Sequence, residues 1–157
     1  MSESNITEKT NKQEFIDFMG NSIREGDLIL YTGTEVYPHV SEATNISGNR
    51  CYFKRFAGNK HFGGEINAFR DIKKVISLTE FDVTNKDEIK IYYRHADGNS
   101  DLRGKEIEIG ARVVYVSDET FCFGIVEKLT ELMCIIRSEN GDRIRRYKSH
   151  VLVVEKQ

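Results

Sequence analysis

The sequence predicts a mainly β protein: two small antiparallel barrels in tandem, preceded by a short N-terminal helix. Three observations predict it. Residues 134–142 read C-I-I-R-S-E-N-G-D and residues 51–59 read C-Y-F-K-R-F-A-G-N, each running from a cysteine through apolar residues into a cation and reaching glycine seven residues later, at an offset of 83. Upstream, I-E-I-G-A-R-V-V-Y at 107–115 repeats I-R-E-G-D-L-I-L-Y at 23–31, at an offset of 84. A nearly constant offset between two markers is the mark of a duplicated unit. Third, each copy breaks into short apolar runs separated by turn residues, the spacing of a small all-β domain.

Taken in order, residues 1–10 read as a disordered polar tail. Residues 11–20 read as a short amphipathic helix, with Phe15, Phe18 and Met19 at i, i+3 and i+4, Thr10 or Asn11 as cap and Gly20 as terminator. A helix this short needs a docking surface, and the first barrel is the nearest one. With that helix, the first unit spans 11–78. Its strand-like runs are 28–31, 51–53 and 75–78, with Pro38 breaking the segment between the first two. An acidic connector, 79–106, carries one alternating run at 89–93 and a turn at 97–99, enough for an extra strand or hairpin. The second unit, 107–157, is tighter, with strands expected at 112–116, 122–129, 132–137, 143–147 and 151–154. Five short strands in such a length form a closed barrel most economically, because closure removes exposed edges.

Composition sets outer bounds. With 157 residues, 39% apolar and 31% charged, the chain can fill one ordinary domain or two small ones, and the repeat selects the second option. No run approaches a membrane span, and the polar start lacks the regions of a signal peptide, so a cytoplasmic location is expected. Three cysteines without a C-x-x-C pair, two of them at equivalent repeat positions, read as small buried hydrophobes. The four histidines, His39, His61, His95 and His150, have no zinc-ligand spacing, so neither metal nor other cofactor is expected.

At Gly110-Ala-Arg-Val-Val-Tyr-Val116, continuing to Gly124-Ile-Val126, the chain resembles the G-D-x-V-x-V…G-x-V opening of SH3-like barrels of the KOW and Tudor kind. Gly26-Asp27-Leu-Ile-Leu-Tyr31 matches the first half of that opening, while the second glycine is missing near His39-Val40. The resemblance implies nucleic-acid or transcription-machinery contacts for the KOW kind, and peptide or chromatin contacts for the Tudor kind. Length, acidic start and two-barrel plan are also similar to small early DNA-binding proteins of T4-like phages.

The charge map points to the same class of partner. Between residues 50 and 74 seven cations face two anions, and between 137 and 150 five face two, so these stretches carry +5 and +3 in a chain whose net charge is −2. Positive charge is thus gathered in the same region of both repeats while the remainder is acidic. A three-residue loop at 139–141 places Ile136 opposite Ile144 and Arg137 opposite Arg143; the same loop at 56–58 places Lys54 opposite Lys60. Like charges opposed across a hairpin are destabilising, and a polyanion would relieve them. The candidate nucleic-acid contacts are therefore Lys54, Arg55, Lys60, Lys73 and Lys74 in the first unit, and Arg137, Arg143, Arg145, Arg146 and Lys148 in the second. Phe56 and Tyr147 are the candidate aromatic contacts.

Catalysis finds no support: there is no G-x-S-x-G, no phosphate-binding G-K-[ST] loop and no H-E-x-x-H. The expectation is a non-enzymatic protein binding duplex DNA with low specificity through its basic hairpins, as a phage modulator of host transcription or of the nucleoid. The alternative is an interaction module that grips an acidic host transcription or nucleoid protein with the same face.

Overall fold

The computed structural model describes residues 15–47, 50–54, 66–69, 72–83, 85–92 and 98–154, with backbone alone for 54, 66–69 and 72. It is built on β-strands. After a two-stranded hairpin, β1 (Phe15–Ile16) and β2 (Ser22–Ile23), come β3 (Leu28–Thr32), β4 (Pro38–Ser47), β5 (Arg50–Lys54), β6 (Ile66–Phe69) and β7 (Val75–Ser77). The second unit repeats the series as β8 (Arg112–Ser117), β9 (Thr120–Leu129), β10 (Met133–Ser138), β11 (Arg143–Tyr147) and β12 (Leu152–Val154). Two five-stranded antiparallel sheets result, ordered β6-β5-β4-β3-β7 and β11-β10-β9-β8-β12. Each is a meander whose last strand returns to pair with its first, and no ladder among the described residues closes either sheet on itself.

The duplication extends to backbone detail. Cys51 and Cys134 lie on the third strand of their sheets and are both fully buried. Gly26 and Gly110 both turn the chain at φ near +93° and +92°, a region that penalises any side chain, and both donate N–H to the second strand, to Ala43 O at 2.7 Å and Val126 O at 2.8 Å.

The N-terminal helix is not formed over residues 15–20. Asp17 accepts N–H bonds from Met19 at 2.9 Å and Asn21 at 2.8 Å, and Gly20 sits at φ +87°, so a side-chain turn replaces the helical one. Phe15 pairs with Ile23 and enters the core of the first unit, whereas Phe18 packs on Phe123 of the second, with ring centroids 4.7 Å apart. The helical spacing of these apolar residues reflects two different destinations. The same turn recurs in the connector: Asp101 accepts from Arg103 and Lys105, each at 2.9 Å, Gly104 has φ +90°, and Ser100 bridges Glu106. Ten-residue stretches reading D-x-x-G-x-x-I-x-x-G, from Asp17 to Gly26 and from Asp101 to Gly110, thus open the two units.

The two carboxylates also tie each opening to its closing strand. Asp17 accepts from Ser77 N–H at 2.6 Å, and Asp101 from Val153 N–H at 2.8 Å. Both are buried, and burial holds both carboxyl pKa values above the usual aspartate value although the N–H bonds pull the other way.

Each unit has its own core, and a third apolar cluster lies between the units. The period-2 geometry of a strand sends Ile29 and Tyr31 into the first core and Leu30 into the shared one; on β8, Val113 and Tyr115 enter the second core while Val114 and Val116 enter the shared one. Ile89, Ile91 and Leu102 from the connector join it. Residues 89–92 are described without strand, and the preceding segments, Thr79–Phe81 and Lys86–Glu88, are single 3-10 turns. Polar ties reinforce the seam: Thr32 Oγ1 donates to Glu119 O at 2.6 Å, and Arg103 donates to Val153 O at 2.6 Å and Phe81 O at 3.2 Å.

Candidate nucleic-acid interface

The hairpin of β10 and β11 keeps the expected register, with Ile136 opposite Ile144 and Arg137 opposite Arg143. Ser138 donates N–H to Asp142 O at 2.8 Å, closing a three-residue loop in which Gly141 takes φ +95°. Alternation then places Arg143 and Arg145 on one exposed face, joined across the pair by Arg137.

The opposed arginines share one counterion. Glu127 on β9 accepts from Arg137 Nε at 2.5 Å and also pairs with its Nη2, and its other oxygen lies 3.2 Å from Arg143 Nε. Its carboxylate is largely covered while both arginine side chains remain mostly exposed. The chain thus supplies its own anion where the sequence pointed to an external one.

Arg146 and Lys148 act inside the chain. Arg146 points to the opposite face from Arg145, donates to Val116 O at 3.1 and 2.8 Å and to Arg145 O at 2.6 Å, and lies 5.6 Å from the Tyr115 ring centroid; burial lowers its pKa. Lys148 is buried and donates to Glu131 O at 2.9 Å. Tyr147 is half-buried, edge-on to His150 at 5.3 Å.

In the first unit, Lys54 pairs with Ile66, not with Lys60: β6 begins only at Ile66, so the β5–β6 connection runs through residues 55–65 and is much longer than the expected three-residue loop. Arg55, Phe56 and Lys60 lie outside the described residues. Lys73 is exposed, and Lys74 forms a 3.9 Å ion pair with Glu119 across the seam. The structure therefore gathers Arg137, Arg143 and Arg145 on one hairpin face, while Lys73 and Lys74 stand on the 3-10 turn Ile72–Lys74 ahead of β7.

A second cluster was not foreseen. Where the connector meets the first unit, His39 bonds Tyr92 Oη at 3.0 Å through Nδ1 and Glu35 Oε1 at 2.8 Å through Nε2. Around it stand Tyr31 and Tyr37, with ring centroids 5.4 and 5.2 Å from the imidazole, and Tyr37 stacks at 4.7 Å on His150 of the second unit. Burial, with neighbouring phenols and Glu35, pushes the Tyr92 phenol well up. Tyr31, Glu35, Tyr37 and His39 come from the β3–β4 hairpin, where Tyr31 pairs with His39, whereas Tyr92 and His150 are distant in sequence and are added by the docking of connector and second unit.

No family model and no curated protein matches the chain. Among solved structures, the AGD34 segment of Arabidopsis thaliana AGDP1 is similar at TM-score 0.40 and 7% identity, covering 84% of this chain and 82% of that one. Function has to be read from the chain's own geometry.

Proposed function

We propose that this chain is a non-enzymatic nucleic-acid-binding protein that holds duplex DNA by its phosphates with low sequence specificity. The observation that carries the reading is the exposed face of β10 and β11, where Arg137, Arg143 and Arg145 stand together on a rigid hairpin. Guanidinium groups fixed on a strand suit phosphate oxygens, which position a protein on the duplex without reading its sequence. The first unit adds the basic stretch from 50 to 74, including Lys73. In a cell, such a protein would coat or modulate nucleoid DNA, in keeping with the resemblance to small early phage proteins.

A second reading has its own observation: the Tyr37, His39, Tyr92 and Glu35 cluster combines aromatic faces with a carboxylate, a surface suited to a side chain of a protein partner. The two readings separate on a column of random-sequence duplex. Phosphate binding predicts retention at low salt that falls steeply between about 50 and 200 mM. No retention at either salt, with binding to a protein partner unaffected by salt, would favour the second.

A further inference from the structure

Glu127 stands at a bulge. Ile136 pairs with Val126 and Ile135 with Lys128, so Glu127 is left out of the β9–β10 ladder. A bulge re-aims the side chain of its extra residue, and here it brings the carboxylate to the pair Arg137 and Arg143. The first unit has the matching irregularity, Ala43 pairing with Phe53 and Asn45 with Tyr52, but its skipped residue is Thr44. The bulge belongs to the duplicated plan; the carboxylate is peculiar to the second copy.

Resting on the DNA reading above, we infer that Glu127 is an internal competitor for phosphate, its carboxylate occupying the fork between Arg137 and Arg143 that a backbone phosphate would take. Planar guanidinium donors recognise carboxylate and phosphate oxygens by the same geometry. Two cations and one anion leave this triad a charge of +1, so the second unit attracts a polyanion less strongly than its arginine content implies. Glu127 thereby sets both the affinity of the face and its response to salt, while offsetting the repulsion between two arginines that face each other.

The test uses the full chain and a fluorescent random-sequence duplex, followed by anisotropy over a salt series alongside thermal melting. Glu127→Gln is expected to bind roughly two- to five-fold more tightly, the scale of one exposed charge pair, with a salt slope steeper by about 0.9. The same variant should melt a few degrees lower, since its arginines then face each other uncompensated. Glu127→Asp, which keeps the charge, should stay near wild type in affinity. In a background of Arg137→Gln with Arg143→Gln, adding Glu127→Gln should change neither affinity nor slope. Unchanged or weaker binding by Glu127→Gln, in a protein that otherwise binds DNA, would overturn the inference alone. So would an equal gain in the arginine-free background, which would make Glu127 an ordinary surface charge. Absence of DNA binding in wild type and Glu127→Gln alike would overturn the nucleic-acid reading and this inference with it.

Discussion

Asp17 and Asp101 each replace several backbone partners at once, so their removal strands buried N–H groups of the opening turn and of the closing strand. Substituting either by Ala is expected to lower stability by about 3 kcal/mol or more, as loss of charge-assisted bonds to buried donors does, measured by denaturant titration. Burial raises both folded-state pKa values above the usual 3.8. The folded chain therefore keeps these protons to higher pH than the unfolded chain. The stability this contributes is complete below the unfolded value and is lost as pH rises through the folded one. The stability difference between wild type and the double Asn variant should accordingly be larger on the acid side than at neutral pH. Burial likewise pushes the Cys51 thiol up to about 12 and the Cys134 thiol to about 11. Iodoacetamide at mildly alkaline pH should then leave both unmodified in native protein and label them only after denaturation, with half-buried Cys122 the one native target. The burial of the paired cysteines was legible from their repeat positions inside apolar runs. The aspartates were legible in principle, since D-x-x-G-x-x-I-x-x-G recurs at the repeat offset, but the apparent helical spacing of Phe15, Phe18 and Met19 competed for the same residues.

At the level of elements, the opening hairpin is part of the first core rather than a docked helix. Phe15→Ala should cost about 3–5 kcal/mol, the usual penalty for emptying a buried aromatic site; a calorimetric melt that barely moves would return the segment to the status of a free arm. The β10–β11 register could be read from the loop alone, because Gly141 meets the left-handed requirement of a three-residue connection. The same inference failed at β5–β6, where cation and glycine sit at matching distances from the cysteine but the partner strand resumes only at Ile66. The bulge that delivers Glu127 left no trace in the pattern, since a one-residue insertion does not disturb the mixed composition of a half-exposed strand. The arginine face was thus visible from sequence, and its counterion was not.

For the molecule as a whole, the duplication announced two units, yet the shared core shows that they do not stand alone. A strand buried on both faces reads as the same continuous apolar run whether its second face meets its own barrel or a neighbour, so Leu30, Val114 and Val116 gave no hint of the seam. Each large side chain exposed by separating the halves would forfeit about 1.5–3 kcal/mol. Fragments covering residues 1–78 and 99–157, each keeping its own opening turn, should therefore fail to melt cooperatively when expressed separately, as followed by circular dichroism. The central claim, phosphate binding by the β10–β11 face, is tested most directly by the slope of log affinity against log salt on random duplex, for wild type and for Arg143→Ala with Arg145→Ala. Phosphate contacts predict a slope shallower by about two units in the variant, with weakening equal on every sequence and a melting temperature held within a few degrees. Equal affinity and equal slope in the two proteins would contradict it.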